Sequence, residues 1–464
     1  MFRKALAALF LAALAAAQQT GKPRLLIVTG ANNHDWKWTA FEIRGVLEEC
    51  ERFDVDLTED PARDLADASV VSRYAAFVLD YNGPRWGSEA EAVFLQAVRS
   101  GAGVVVVHAA DNSFPDWDDY AKLVGLCWRD GTSGHGAYHA FDIAVVDHAH
   151  PITEGLADLR RHPDELYHRL VPTPGSECRV LLSAYSDPKT GGTGRHEPMA
   201  TAATFGKGRV FHTALGHTWT GAIPTRATWS DPQFRLLLQR GAEWAATGAV
   251  TLPARPINFL AEDERKEGFE LLFDGRSLAG FKAFRRDGLP DRGWTVRHGA
   301  IFHEKNGGGG DLLTEARFGD FDLRFQWRIG AGGNSGVIWH VLETEKDTYR
   351  TGPEYQILDD LGVKPDPKHS AGALYDLVGT PPGKPVRPPG EWNDGRIVVR
   401  DGKVQHWLNG ALLLESPCTG PDWDAMVAKS KFRDWPFGRS AAGHIAFQDH
   451  GDEVAYRSIR IRRL

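Results

Sequence analysis

The segment Thr351–Asp360, TGPEYQILDD, sets an acid and an amide two residues apart. Strand side chains alternate, so Glu354, Gln356 and Leu358 would share one face and Tyr355, Ile357 and Asp359 the other. A carboxyl beside a carboxamide suits a wet face, where one group moves a proton and the other grips a hydroxyl. More polar residues interrupt strand-like segments nearby: Asn334 in NSG, Tyr375, His406 in QHWLNG, and Gln448, Asp449 and His450 in QDH. Buried without partners, such groups cost about 1–3 kcal/mol each, so their number points to a functional face. Glu354, His406, His450 and Asp449 have the chemistry of catalytic acids and bases. Asn334, Gln356, Tyr375 and Gln448 have that of substrate-binding groups. Glu354 and His450 are also metal-ligand types, which leaves a divalent ion as an open option. Glu354, His406 and His450 meeting in one cavity is the expectation that separates an enzyme from a binding surface.

These residues need strands to hold them. Asp320–Ile329, DFDLRFQWRI, alternates strictly between apolar and polar, which predicts a strand buried on one side. Further short strands are predicted at 336–342, 355–358, 372–377, 396–400, 403–408, 411–415, 443–448 and 454–462, with Asn409-Gly410 as a hairpin mark. Many short strands with few helices predict an all-β sandwich or jelly roll over 268–464.

The first half has a different period. Apolar runs such as RLLIVTG (24–30), YAAFVLD (74–80) and GVVVV (103–107) alternate with helical patterns at 38–53, 88–100 and 231–246. That order predicts an α/β domain with a parallel sheet over 23–249, with Phe41, Val46 and Leu47 turned inward on its first helix. Ligands of such sheets bind at the carboxyl ends of strands. Asn32, Asn33 and His34, then His108, Asp164 and Glu165, and His212 and His217, all fall at such ends. Eleven of the 18 histidines lie in this half; histidine is both a proton carrier and a metal ligand. Between the halves, residues 250–267 have two prolines and then a charged run, which predicts a solvated linker.

The chain has 464 residues, which favours two domains. A net charge of −7 without a basic block argues against a nucleic-acid partner. Fifteen tryptophans beside acids and amides suit a carbohydrate, whose apolar face an indole covers. The four cysteines fit no zinc motif or disulfide framework, with room for one incidental bridge in the first domain. Residues 1–17 read as a cleavable signal peptide, with Gln18 first in the mature chain and a periplasmic or secreted destination. No other segment is long and apolar enough to span a membrane.

Two resemblances add to this reading. NHDW (33–36), VVVVHAA (104–110), HPITEGL (150–156), DELYH (164–168) and GKGRVFHTALGHT (206–218) resemble the trehalose-utilisation, ThuA-like family. That resemblance implies a flavodoxin-type, class I glutamine-amidotransferase-like fold and carries over His34, His108, Glu165 and His217 as a pocket. His108 stands where related amidotransferases have a strand-to-helix turn, and no cysteine is nearby, so amidotransferase chemistry is not implied. LLFDGRSLAGF (271–281), GGNSGV (332–337), TGPEYQILDD, AGALYDL (371–377), AKSKF (428–432) and GHIAFQDHGDEVAYRSIRIR (443–462) resemble the 3-keto-disaccharide hydrolase family. This implies a concanavalin-like jelly roll and substrates oxidised to a ketone at carbon 3 of the sugar. A ketone there acidifies the carbon-2 proton, so the site needs a base, an enolate stabiliser (hydrogen-bond donors or a divalent ion) and an acid for the leaving oxygen. An ordinary glycosidase using Glu354 and Asp449, and a non-catalytic sugar-binding module, stand as alternatives.

Overall fold

Nine strands make the first unit's sheet: β1 (Arg24–Val28), β2 (Asp54–Thr58), β3 (Ala76–Leu79), β4 (Gly103–Val107), β5 (His139–Val145), β6 (Leu159–Asp164), β7 (Arg179–Tyr185), β8 (His196–Phe205) and β9 (Gly208–Thr213). The computed structural model describes residues 21–464 and divides after Pro256. The signal-peptide reading of residues 1–17 lies outside the described residues. The strand order is β2-β1-β3-β4-β9-β8-β7-β5-β6. Strands β2 to β9 of that order are parallel, and the rest pair antiparallel. The wholly parallel sheet expected from the sequence is therefore corrected to a mixed one. Only Gly206 and Lys207 join β8 to β9, with Phe205 paired to Gly208, and so short a link cannot make the crossover that parallel strands need.

Helices α1 (Trp36–Glu49), α2 (Ser88–Ser100) and α3 (Pro232–Thr247) connect or close this sheet. On α1 the buried stripe is Thr39, Ala40, Ile43, Val46 and Leu47, at helical spacing. Phe41, expected inward, falls off that stripe and is exposed. All four cysteines are free. No helix among the described residues is long and apolar enough to cross a membrane.

The second unit opens with a short helix, α4 (Glu262–Lys266), where a solvated charged linker was expected. Glu264 is buried and receives Arg460 Nε at 2.9 Å, so the run is partly docked rather than free in water. Strands follow as β10 (Glu270–Leu271), β11 (Phe281–Ala283), β12 (Trp294–Arg297), β13 (Ala300–His303), β14 (Leu312–Thr314), β15 (Phe321–Ile329), β16 (Asn334–Val341), β17 (Glu354–Leu358), β18 (Asn393–Arg400), β19 (Lys403–Leu408), β20 (Ala411–Pro417), β21 (His444–Phe447) and β22 (Val454–Arg463). They form two antiparallel sheets. The larger runs β12-β13-β22-β15-β18-β19-β20, with β10 beside β22; the smaller runs β11-β14-β21-β16-β17.

Both sheets contribute to one core. Phe321, Leu323, Phe325, Trp327 and Ile329 of β15 meet Val337 and Trp339 of β16, Tyr355 and Ile357 of β17 and Phe447 of β21. This is the inward set that the alternation of DFDLRFQWRI predicts. The strand expected at 372–377 is instead a tight turn, with isolated bridges from Leu374 to Tyr355 and Val378. Gly372 and Asp376 adopt positive φ (84° and 62°), which ends extension on both sides.

On the other face of β15, Asp322 is fully buried among the guanidinium groups of Arg324 (3.1 Å), Arg396 (2.8 Å) and Arg462 (3.4 Å). Burial opposes its charge, but Arg396 and Arg324 outweigh that and hold its pKa below the usual carboxylate range. Asp322→Ala would remove the buried carboxylate that these three guanidinium groups share. We expect it to destabilise the second unit by about 3 kcal/mol, read as a lowered denaturant midpoint for that unit's transition; an unchanged midpoint would contradict this role.

Candidate functional site

Strand β17 decides which sequence-predicted residues meet. Its Tyr355 and Ile357 enter the core, so Glu354 and Gln356 occupy the opposite face of the smaller sheet. Pairing of β16 with β17 sets Gly336 against Gln356 and Ile338 against Glu354. A Cβ on Gly336 would lie 2.4 Å from Glu354 Oε1, so the glycine leaves the room in which that carboxyl lies. Asn334 is two residues, about 7 Å, further along the same face. Its amide nitrogen is 3.2 Å from His450 Nε2, and His450 is exposed at the rim. Gln448 follows β21, half-buried, and donates its backbone N–H to the Gly336 carbonyl at 2.9 Å.

Loops complete this face. The Tyr375 backbone N–H donates to the Glu354 carbonyl at 3.1 Å. Lys431 Nζ lies 4.1 Å from the Tyr375 ring centroid, and the His369 ring lies 4.9 Å away on the same tyrosine. Gln356 Nε2 donates to the His369 carbonyl at 3.2 Å. Burial raises the Glu354 pKa to about 8; Lys431 opposes that rise and Asp311 adds to it. Glu354 therefore holds its proton at neutral pH. Asp311 is also raised, to about 6, by burial of its carboxyl, although it accepts from Thr348 Oγ1 and, at 2.8 Å, from the Asp449 backbone N–H.

Two predicted catalytic residues stand elsewhere. His406 of β19 is fully buried on the core side, 4.9 Å from the Tyr355 ring, with Nδ1 3.0 Å from the Gly372 carbonyl. Tyr355 and Glu354 point to opposite faces of β17, so the expected meeting of His406 with Glu354 and His450 does not occur. Burial lowers the His406 pKa to about 4, as expected of a neutral core imidazole. The alternation of its own strand, with Val404 and Leu408 inward beside it, contained that signal. Asp449 is the ion-pair partner of His303, at 3.2 Å, and also accepts the backbone N–H groups of Gly310 and Gly451, both at 3.0 Å. The pairing of Glu354 with Asp449 as two glycosidase carboxylates thus loses its second member to a structural role. Sequence reasoning missed Asp311, His303 and Lys431. Lys431 lies within AKSKF, but nothing in a loop lysine's type distinguishes it from a solvated one.

In the first unit, the four residues carried over by resemblance do converge. His108 follows β4 with φ of +46°, a strained backbone for a non-glycine residue, and begins a 3₁₀ turn. Its Nε2 lies 3.2 Å from His217 Nδ1, and His34 Nε2 lies 3.2 Å from the same atom. Glu165 Oε2 approaches His217 Nδ1 at 3.1 Å and His135 Nδ1 at 3.4 Å. Asp164 holds the turn in place. Its carboxylate accepts from the backbone N–H groups of Glu165 (2.7 Å), Gly216 (2.8 Å) and His217 (3.2 Å) and from Thr228 Oγ1 (2.6 Å). Trp219 stacks on His34 at 4.8 Å. Burial lowers the pKa of His34 to about 3 and of His217 to about 4, and raises that of Glu165 to about 7. His34, His108 and His217 are the one group of three or more potential ligands, among the described residues, whose donor atoms lie within 4.8 Å of one another. Glu354 and His450, the ligand types noted from sequence, form no such group.

The His303–Asp449 pair makes a pH prediction. Burial opposes charge on His303, but Asp449 and the carbonyls of Asp452 and Gly308 outweigh it and raise its pKa; the His303 contact lowers that of Asp449. The stabilisation from Asp449 is present above the ordinary carboxylate pKa and is lost as pH falls through its lowered value. That from His303 is present below the ordinary imidazole pKa and is lost as pH rises through its raised value. Asp449→Asn should therefore cost most stability, about 2–3 kcal/mol, near pH 5–6, with the difference shrinking on both sides; thermal unfolding across pH checks this, and a pH-independent difference would contradict it.

Comparison with known proteins agrees with both halves of this description. Residues 268–462 match the family described as a 3-keto-alpha-glucoside-1,2-lyase-like domain, and residues 24–245 match the ThuA family, described as trehalose utilisation. A relative from Bacteroides thetaiotaomicron named 3-keto-disaccharide hydrolase is 31% identical over 259 residues, covering 49% of this chain and 89% of its own. A solved structure from Parabacteroides distasonis, described as a candidate glycosyl hydrolase, is 35% identical over 45% of this chain and 99% of its own, with a TM-score of 0.42. One from Parabacteroides merdae, described as ThuA-like, is 35% identical over 52% of this chain and 96% of its own, with a TM-score of 0.47. With a relative above 30% identity matched over most of its own length, the chain belongs to the 3-keto-disaccharide hydrolase family, and it carries a trehalose-utilisation domain ahead of the hydrolase-family domain.

Proposed function

We propose that this protein is a carbohydrate hydrolase whose second unit cleaves the glycosidic bond of 3-keto-glycosides, on a scaffold we read as a concanavalin-like jelly roll. The observation that carries the reading is Glu354, a buried carboxyl that keeps its proton up to about pH 8 and lies over Gly336 on a polar sheet face. A glycosidic oxygen leaves only if it gains a proton, and a neutral carboxylic acid supplies one. The family description as lyase-like and the name of the Bacteroides relative support a keto substrate.

In this scheme the substrate displaces the Asn334 amide from His450 Nε2, and the freed nitrogen removes the proton from carbon 2 of the sugar. The electrons pass into the carbon-3 carbonyl, and Lys431, beside Tyr375, offsets the enolate charge. The bond from carbon 1 to the glycosidic oxygen then breaks as Glu354 protonates that oxygen. Water adds across the resulting double bond, so the net change is hydrolysis. Gln356, Asn334, Tyr375 and Gln448 bind hydroxyl groups. On the leader pattern of residues 1–17 we assign the protein to the periplasm or the exterior.

The test is release of aglycone from a 3-keto-glucoside and from its unoxidised parent by the full chain. Release from the ketone alone is expected. Release from both would shift the reading to an ordinary glycosidase, and release from neither to a binding module. Glu354→Gln should lower kcat about 10²–10⁴-fold. In the wild type kcat should fall as pH rises through about 8, where Glu354 loses its proton; a variant with unchanged kcat would remove Glu354 from the chemistry.

A further inference from the structure

The histidine cluster of the first unit aims more acceptors at one nitrogen than hydrogen bonding can satisfy. His34 Nδ1 faces Asn32 Oδ1 at 3.3 Å, and that oxygen also accepts the His34 backbone N–H, so it is an acceptor and His34 Nδ1 bears the hydrogen. His108 Nδ1 lies 2.7 Å from the Ala214 carbonyl and therefore bears its hydrogen too. The Nε2 atoms of both rings are left as lone pairs, and both point at His217 Nδ1 from 3.2 Å. Glu165 Oε2 brings a third acceptor to the same atom at 3.1 Å. One nitrogen can offer at most one hydrogen to these three acceptors. The other nitrogen of the fully buried His217 ring, Nε2, has no partner. Wherever the hydrogen of His217 lies, and whether or not Glu165 donates, at least one of the His34 and His108 Nε2 lone pairs faces His217 Nδ1 with no donor between them. That arrangement is repulsive unless a cation lies at its centre.

Two of the three separations fit such a cation directly, and all three donor atoms lie within 4.8 Å of one another. Imidazole nitrogens about 2.0–2.1 Å from a tetrahedral zinc ion stand about 3.3–3.4 Å apart, close to the two separations seen. The hydrogen bonds from His34 Nδ1 to Asn32 and from His108 Nδ1 to Ala214 are of the kind that fix the tautomer and ring angle of metal-bound histidines. The positive φ of His108 gives that strained backbone a purpose, since it aims the ring into the cluster.

We propose that His34 Nε2, His108 Nε2 and His217 Nδ1 bind a divalent transition-metal ion, with Glu165 beside the coordination position that remains. Three imidazoles and one open position is the ligand set of sites that bind an exchangeable oxygen ligand, and imidazole favours zinc and its late first-row neighbours over magnesium or calcium. Glu165, next to the open position, is placed to take a proton from a bound water or sugar hydroxyl. Trp219, stacked on His34 and itself 40% exposed, gives an apolar platform beside it.

The experiment uses the full chain, stripped by chelator, loaded with Zn²⁺ or Co²⁺ alone and desalted. About one zinc ion per chain is expected, together with the visible absorption band of a nitrogen-ligated Co²⁺ site and a raised melting temperature for the first unit's transition. His34→Ala/His217→Ala should lose the ion and the band, whereas His450→Gln in the second unit should keep both. Wild-type chain that retains less than about a tenth of an ion and shows no Co²⁺ band overturns the proposal, whatever the variants do. Full metal content in the folded double variant, checked by circular dichroism, overturns it as well.

Discussion

The antiparallel pairing of β16 with β17 places a glycine beneath the carboxyl of Glu354, and the proposed chemistry of the second unit depends on that register. A slip by one residue would send Glu354 and Gln356 into the core and bring Tyr355 and Ile357 out. The core prevents the slip, because Tyr355 and Ile357 are fully buried among Phe325, Val337 and other inward residues of both sheets. Hydrophobic burial on one face thus fixes the polar residues of the other. The same register explains why GGNSGV needs its last glycine: any side chain at Gly336 would occupy the volume of the Glu354 carboxyl.

Buried acids in this protein fall into two groups, set by their partners. Asp322 has three guanidinium groups, Asp164 has three backbone N–H groups and a hydroxyl, and Asp449 has His303 and two backbone N–H groups. These carboxylates are satisfied and hold structure together. Glu354 and Glu165 are comparably buried but lack such a set, and burial pushes both upward, to about 8 and about 7. An acid buried without full compensation destabilises the fold unless it is protonated or used, which is why such groups mark functional sites. By this criterion Glu354 and Glu165 are candidate acids, and burial raises Asp311 in the second unit and Asp80 in the first in the same way.

In the first unit the site residues come from four separate places: the turn after β1, the end of β4, the segment after β6 and the turn after β9. The parallel part of the sheet brings the carboxyl ends of β1, β4 and β9 to one edge. Asp164 then ties the segment after β6 to the turn at His217, so that one carboxylate positions both Glu165 and His217. The antiparallel extension of the sheet, which the sequence reading took as parallel, is what returns the chain to this edge at β6.

Local pattern alone determined much of this. Strict alternation gave the inward set of β15 and the two faces of β17, because period two is a property of the strand and not of its neighbours. Apolar runs between helical patterns gave an α/β first unit, and polar residues at strand ends marked His34, His108, Glu165 and His217. Tertiary structure decided what pattern could not. Whether His406 meets Glu354 depends on which side of β17 the larger sheet packs, and a single strand contains no information on that. Asp449 offered the chemistry of a catalytic acid until His303, 146 positions earlier in the chain, was seen to neutralise it. Asp311 and Lys431 gained their meaning only from lying near a carboxyl that burial had kept protonated. Residue type and spacing specify faces; the pKa and partner of each group depend on long-range packing, which sets solvent exclusion and opposite charge.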